Sequence, residues 1–256
     1  MSDFLVDTHS HLDLPDYADL DEIVLSAKNF GVEKIIIPSV DRNSFEKVIA
    51  VSDKYENVYC ALGIHPTEAQ NANDEDFDKI LELSTNSKVV AIGECGLDYY
   101  HDKTHVDTQK KVFLKQIEIA KSLKKALIVH DREAHKDCFD ILSDNIKDEI
   151  PVIMHCFSGS LEFANECIKK GFYISLGGVV TFKNAKKVHE IAKNIPLESL
   201  LLETDAPYLT PEPYRGKRNE PAYVKFVAEK IAELRGISLE EVAQITTQNA
   251  RRAFGI

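Results

Sequence analysis

The sequence predicts a (β/α)8 barrel, the TIM-barrel fold of α/β proteins, as a single domain over residues 1–256 with an extra C-terminal helix. Three observations predict it. Short apolar runs rich in β-branched residues recur along the chain, and an amphipathic stretch of helical period follows each run. Eight such units fill 256 residues, close to the length of about 250 that is typical of this fold. No break in composition resembles an interdomain linker. A doubly wound open sheet is the alternative, although such a sheet normally has fewer strands.

The eight apolar runs are the predicted strands of the barrel. They are FLVD (4–7), KIIIPS (34–39), VYCALG (58–63), VVAIG (89–93), ALIVH (126–130), PVIMH (151–155), FYISLG (172–177) and LLLET (200–204). Successive runs start 21 to 37 residues apart, which leaves room for a strand, a helix and two short loops in each unit.

The segments between the runs predict the outer helices. Residues 107–123 are one example, with Val112, Ile119 and Leu123 among their apolar positions. After the last strand, residues 238–254 predict the extra C-terminal helix, because Ser238 and Glu241 have the spacing of a capping box.

Composition limits the partners and the compartment. Hydrophobic residues make up 44% of the chain, and 42 acidic residues against 31 lysines and arginines give a net charge of −11. This charge argues against nonspecific coating of nucleic acid and against adhesion to anionic membranes, but it permits a local phosphate site. The five cysteines include no C-x-x-C pair, and no run approaches the roughly 20 apolar residues that would span a membrane. Without a basic-then-apolar leader, we expect a cytoplasmic protein that has no membrane partner.

Polar residues with metal-binding chemistry follow five of the eight predicted strands. In a TIM barrel the chemistry lies at the carboxyl ends of the strands, so these residues should converge on one rim. The six candidate metal ligands are His9, His11, Glu94, His130, His155 and Asp205. A single histidine at a strand end is usually only a polar cap, whereas ligands at five strand ends favour a metal site.

Six ligands exceed what one tetrahedral ion needs, so we predict two divalent cations that share a bridging ligand. Glu94 can bridge because a carboxylate offers two oxygens. His9, His11 and Asp205 would complete one ion, and two further histidines the other: His130 and His155. Histidine ligation favours Zn2+ or Mn2+, while Mg2+ prefers oxygen and fits a loosely held site. Two cations would leave the mouth of this acidic protein at about +2.

Seven motifs resemble, in order, those of the TatD family of metal-dependent deoxyribonucleases, within the wider amidohydrolase-like barrels. They are DTHSHLD, GIHP, GECGLDYY, VHDREA, HCFSG, ETDAPYLTP and RGKRNEP, and the match runs from residue 7 to the closing NARRAF. The resemblance implies a TIM barrel, a two-metal site on the same six residues and hydrolysis of DNA phosphodiester bonds, often as a 3′-to-5′ exonuclease. Cys95 departs from the family pattern, where an aliphatic residue is more familiar, and is expected to pack away from the face of Glu94.

The predicted catalytic residues are Glu94, as the bridging ligand, and Asp205, which would orient a water and accept its proton. Covalent catalysis is disfavoured because HCFSG lacks the G-x-S-x-G context of a nucleophilic serine. Asp7 and Glu203 have two open interpretations: they orient the histidines, or they are buried carboxylates with other partners.

Substrate contacts are predicted on the same rim. The stretch PEPYRGKRNEP, residues 211–221, carries Arg215, Lys217 and Arg218, whose charges suit phosphate oxygens. His65 of GIHP is a candidate contact for the leaving or adjacent phosphate. Three aromatic residues could stack on an unpaired base or simply pack: Tyr99, Phe157 and Tyr208. The expected partner is DNA with single-stranded or frayed ends, with RNA left open, and the sequence indicates no protein partner.

Two other functions remain open. The first is a carboxyl-ester or amide hydrolase on the same two-metal site, including an aminoacyl-tRNA deacylase. The basic residues at 215–218 argue against a small metabolite as the substrate of such an enzyme. The second is a non-catalytic metal-binding protein, against which the complete ligand set argues.

Overall fold

The eight predicted strands form one parallel sheet that curls into a nearly closed barrel, in the order β1 to β8. The computed structural model describes residues 4–101 and 103–256. The strands are β1 Leu5–Asp7, β2 Val32–Pro38, β3 Val58–Leu62, β4 Val89–Asp98, β5 Ala126–Arg132, β6 Val152–Met154, β7 Tyr173–Leu176 and β8 Leu200–Leu202. The predicted TIM barrel is therefore confirmed.

Backbone hydrogen bonds close the seam between the first and last strands. The Thr8 N–H donates to the Leu202 carbonyl at 3.0 Å, and the Asp205 N–H donates to the His9 carbonyl at 2.9 Å. A doubly wound open sheet would leave its first and last strands unpaired with each other, so that alternative is wrong.

Helices surround the barrel; the first seven connect successive strands, and the last two follow β8. They are α1 Leu20–Asn29, α2 Arg42–Lys54, α3 Asp74–Leu83, α4 Val106–Leu123, α5 His135–Asn145, α6 Leu161–Lys169, α7 Lys186–Asn194, α8 Val224–Arg235 and α9 Leu239–Phe254. Short 3-10 segments lie at Pro15–Tyr17, Pro66–Asn71, Gly178–Thr181, Leu197–Ser199 and Pro221–Tyr223. Ser238 caps α9, accepting a hydrogen bond from the Glu241 N–H at 3.1 Å, which is one half of the predicted capping box.

Two apolar layers hold the barrel together, one inside it and one between strands and helices. The strand residues of the interior cluster are Val6, Ile36, Ala61, Ala91, Ala126, Ile128, Ile153 and Leu201. Ala250, Ala253 and Phe254 of α9 pack against the same cluster, so the extra helix closes one end of the barrel. The strand sequences are continuously apolar because both of their faces are buried.

Strand β4 is five residues longer than the predicted run, and two glycines explain the difference. A Cβ atom on Gly96, whose φ is +140°, would lie 2.0 Å from the His130 carbonyl oxygen, and one on Gly93 would lie 2.7 Å from that of Ile128. Only glycine permits this close approach of β4 to β5. The strand therefore continues to Asp98 and carries Glu94 within it.

Among the helices of the described residues, none has the length and apolar character needed to cross a lipid bilayer.

Candidate metal centre

Glu94 lies at the centre of the site, where its two carboxylate oxygens face different groups of histidines. Its side chain is buried, and Oε2 is 3.3 Å from His9 Nε2 and 3.8 Å from His11 Nε2. Oε1 is 2.8 Å from His130 Nδ1 and 3.6 Å from His155 Nε2. One oxygen toward each pair of imidazoles is the arrangement that a bridging carboxylate requires.

Asp205 joins the same cluster from the end of β8. Its Oδ1 is 3.6 Å from His11 Nε2 and 3.9 Å from both His9 Nε2 and His155 Nε2. The residue has a φ of 56°, in the left-handed region that aspartate adopts more readily than most residues. This backbone turn, together with the hydrogen bond from its N–H to His9, directs the carboxylate over the barrel mouth.

The donor set fits divalent cations. The structure brings all six predicted ligands together, and the rings of His9 and His155 stack with centroids 3.5 Å apart. Four groups of three donors among the described residues have ligand atoms within 4.8 Å of one another, and two of them consist of His9, His11 and Asp205 and of His65, Glu94 and His130. The other two groups both contain His155, one with His9 and Glu203 and one with Cys156 and Asp205. Imidazole nitrogens with carboxylate oxygens suit Zn2+ and Mn2+.

His65 was predicted only as a phosphate contact, but it lies next to the candidate metal ligands. Its Nε2 is 3.7 Å from Glu94 Oε1, and its ring meets that of His130 edge-on at 4.3 Å between centroids. Its Nδ1 is 2.7 Å from Thr67 Oγ1, which fixes the ring. His65 can therefore serve either as a donor for the second ion or as a contact for a bound phosphate.

Buried carboxylates orient two of the histidines from behind. Glu203 Oε2 is 3.0 Å from His155 Nδ1, so the first interpretation of Glu203 matches the structure. Asp98, which had no predicted role, has Oδ2 3.0 Å from His130 Nε2. Asp7 instead accepts hydrogen bonds from Thr204 and from the backbone N–H of His9, which matches its second interpretation. The signal for Asp98 was its spacing of four residues from Glu94, which places both on one face of a strand.

These contacts shift the pKa values of the cluster in opposite directions. Burial disfavours ionised Glu94, but the nearby imidazoles, first of all His155, hold its pKa well below the usual range. Burial also opposes protonation of His130, yet hydrogen bonds to Asp98 and Glu94 raise its pKa to about 9. Despite burial, Glu203 and Glu94 raise the pKa of His155 to about 10. The metal-free centre therefore holds protons that a bound cation must displace.

The predicted basic residues of the segment 211–221 separate into two kinds. Arg215 and Lys217 are exposed, and the Arg215 guanidinium carbon lies 4.0 Å from the Phe182 ring centroid. Arg218 instead forms a bidentate ion pair with Asp19: its Nη1 is 2.9 Å from Oδ1 and its Nη2 is 2.7 Å from Oδ2. This pairing ties the segment to the start of α1, and the contact of Arg218 with phosphate stays a prediction.

The rim aromatic residues also differ from one another. Tyr208 is 55% exposed and lies edge-on to His11 at 6.2 Å between ring centroids, as a base-stacking residue would. Phe157 is buried and stacks on Phe163, and the Tyr99 hydroxyl donates to Asp137 at 2.7 Å. These two therefore pack, which was the other predicted possibility. Tyr100, which was not among the predicted aromatic contacts, is 58% exposed.

Comparisons with known proteins identify relatives of this chain. A family model described as TatD related DNase matches residues 6–255. The chain is 50% identical over 253 residues to "Uncharacterized metal-dependent hydrolase YabD" of Bacillus subtilis (strain 168), covering 98% of this chain and 99% of that protein. It is 39% identical over 258 residues to "Uncharacterized metal-dependent hydrolase YcfH" of Escherichia coli (strain K12), covering 99% and 96%. The crystal structure of YjjV, a TatD homolog from Escherichia coli K12, superimposes with a TM-score of 0.93 at 33% identity, covering 100% of this chain and 99% of that one.

Proposed function

Because the chain belongs to the family of TatD-related DNases, we propose that it hydrolyses phosphodiester bonds of DNA, as a 3′-to-5′ exonuclease that prefers single-stranded or frayed ends. It is a metal-dependent hydrolase of the TatD family. The DNA substrate, the direction of digestion and the preference for an end are our proposal.

One observation carries the proposal: the two oxygens of Glu94 face two separate sets of imidazoles. A site of this kind can hold two cations, one with His9, His11 and Asp205, and the other with His130 and either His155 or His65. When bound, such cations activate a water and neutralise the charge of a phosphodiester.

Asp205 is the proposed proton acceptor. Each of its approaches to the histidines uses Oδ1, at 3.6 to 3.9 Å, so Oδ2 is the oxygen that we assign to the proton of the attacking water. Burial opposes ionisation of this carboxyl, but the His11 imidazole, 3.6 Å away, and the charge of His155 lower its pKa. An ionised carboxylate at neutral pH is the form that accepts a proton.

The rim supplies positive charge to a protein whose net charge is −11. Arg215 and Lys217 are exposed and lie on the segment that follows Asp205, where they can bind phosphates of an extended strand. Tyr208 can stack on an unpaired base beside them. The reacting groups lie deeper, since Glu94 is 3% exposed and His9 is fully buried. A strand end that has separated from its complement reaches such a site more easily than internal duplex does.

A side-by-side assay tests the proposal. Metal-loaded protein is incubated with end-labelled single-stranded DNA, single-stranded RNA and carboxyl-ester substrates, with Mg2+, Mn2+ or Zn2+. We expect progressive shortening of the DNA from its 3′ end. Hydrolysis of esters with DNA left intact would replace the proposal with the carboxyl-ester function. Covalently closed duplex circles that are nicked faster than linear strands are shortened would overturn the preference for ends.

A further inference from the structure

Arg132, at the end of β5, is a cation of the barrel mouth that has no assigned role. Successive side chains of β5 point alternately into and out of the barrel, and Ala126 and Ile128 belong to the interior cluster. His130 and Arg132 have the same parity and therefore lie on the interior face as well. Two residues of a strand rise about 6.6 Å, which places Arg132 further out than His130 on the path toward solvent. Its side chain is exposed.

The guanidinium of Arg132 is held in place but not neutralised. Its carbon lies 4.8 Å from the centroid of the Tyr100 ring, and it makes no ion pair with a carboxylate of residues 4–101 or 103–256. Arg218 differs in this respect, because Asp19 pairs with both of its terminal nitrogens. An arginine that stacks on an aromatic ring keeps its fork of N–H donors available for a phosphate.

The aromatic partner is tied to the metal centre. Asp98 Oδ1 accepts hydrogen bonds from the backbone N–H groups of Tyr100 and His101, at 2.9 and 2.8 Å. The other oxygen of Asp98 is 3.0 Å from His130 Nε2. The same carboxylate therefore fixes a candidate metal ligand and the turn that presents Tyr100, so the position of Arg132 is linked to that of the centre.

The geometry points to Arg132 as a binding residue for a backbone phosphate of the nucleic-acid strand, with Tyr100 as the residue that positions its guanidinium. This inference rests on the proposed function. It adds a cation on the β4–β5 side of the mouth to Arg215 and Lys217 beyond β8, so that an extended strand crossing the centre meets positive charge on both sides.

Binding and kinetics of matched variants test the inference. The probe is a fluorescent single-stranded oligodeoxynucleotide whose terminal linkages are phosphorothioates, titrated with Mn2+-loaded protein at several salt concentrations and followed by anisotropy. We expect Arg132→Ala to raise Kd about tenfold and to reduce the slope of log K against log salt by about 0.7, the value for one phosphate contact to a single strand. On an unmodified oligonucleotide, KM should rise more than kcat falls.

Conservative variants and a distant arginine distinguish binding from structural support. Arg132→Lys should keep the salt slope, because the positive charge remains. Its affinity should be lower than that of wild type, because lysine lacks the planar pair of guanidinium N–H donors. Tyr100→Phe should behave as wild type, and Tyr100→Leu should weaken binding with the salt slope unchanged. Arg252→Ala is the control, since Arg252 is exposed on α9 at the closed end of the barrel.

The outcomes separate this inference from the proposed function. Wild-type affinity and salt slope in Arg132→Ala would overturn the role of Arg132. Binding of the unmodified oligonucleotide by wild-type protein without any cleavage would refute the proposed nuclease, while the binding series would still decide the role of Arg132. Absence of binding by wild-type protein would overturn both.

Discussion

Replacing Glu94 by glutamine should abolish turnover by releasing metal, with little change in the fold. The side chain keeps its size but loses the charge that faces His9 and His11 at 3.3 and 3.8 Å and His130 at 2.8 Å. A charge-assisted interaction is worth about 1.5–3 kcal/mol, so the loss at both oxygens amounts to about 3–6 kcal/mol. This predicts metal binding weakened by about 10²–10⁴-fold.

The assay compares Glu94→Gln with Glu203→Gln, a matched change of a second buried carboxylate. Glu203 accepts hydrogen bonds from the Cys156 N–H and the Ser175 hydroxyl, and its Oε2 is 3.0 Å from His155 Nδ1, the ring nitrogen that faces away from Glu94. Because Glu203 supports one ligand from behind, Glu203→Gln should weaken metal binding by about 10–100-fold. Calorimetric titration of metal-stripped protein with Mn2+ gives affinity and stoichiometry, and circular dichroism checks the fold. Wild-type affinity and stoichiometry in Glu94→Gln would refute the bridging role.

Three further results are expected. Metal binding at pH 7 should release about two protons, because His130 and His155, with pKa values raised to about 9 and about 10, must become neutral before they bind a cation. The affinity for metal should therefore rise with pH up to about pH 9–10. Titration calorimetry in two buffers of different ionisation enthalpy would measure the protons released. Replacing Arg215 and Lys217 together by alanine should chiefly raise KM for single-stranded DNA and weaken its salt dependence, as steady-state kinetics would show. Gly96→Ala should lower the free energy of unfolding by about 2 kcal/mol or more, which thermal denaturation would record as a fall in Tm of about 4–8 °C.

Controls make these three results decisive. Metal binding without proton release would contradict the protonated state assigned to the two histidines. Loss of bound metal in the Arg215 and Lys217 variant would show that these residues do more than dock substrate. Gly236 also has a positive φ, but its Cβ position is open, so Gly236→Ala measures the backbone cost alone. Equal destabilisation in both glycine variants would contradict the clash with His130.

The barrel was predictable because its signals are local. Each strand is a short apolar run, and each outer helix has its own period, so the eight units can be counted without knowledge of tertiary contacts. The end of β4 was not predictable in this way, since Gly93 and Gly96 resemble a turn in the sequence. Their role depends on the close approach of β5, which only the fold shows.

The length of β4 also decides which tyrosine reaches the mouth of the barrel. Because the strand continues to Asp98, Tyr99 follows the outward face of Cys95 and Leu97 and bonds Asp137. Tyr100 then becomes the exposed residue. A prediction that ended the strand at Gly93 could not assign these faces, because each residue along a strand alternates sides.

The candidate ligands were predictable from strand ends, whereas their partners were not. Placement at the carboxyl ends of five strands was sufficient to group six donors. The ion pair of Arg218 with Asp19 joins residues 199 positions apart in the chain, and that of His155 with Glu203 joins residues 48 apart. Pairings over such distances depend on how the loops of the rim meet, which residue spacing does not encode.

One measurement tests the proposed two-metal phosphodiesterase activity most directly. Metal-stripped protein is titrated with Mn2+ while the cleavage of 5′-labelled single-stranded DNA is followed in the same samples. We expect no cleavage in EDTA, and a ladder of progressively shorter labelled products that reaches its full rate only when two ions are bound per chain. Full activity with one ion per chain, or cleavage that persists after exhaustive dialysis against chelator, would contradict the account.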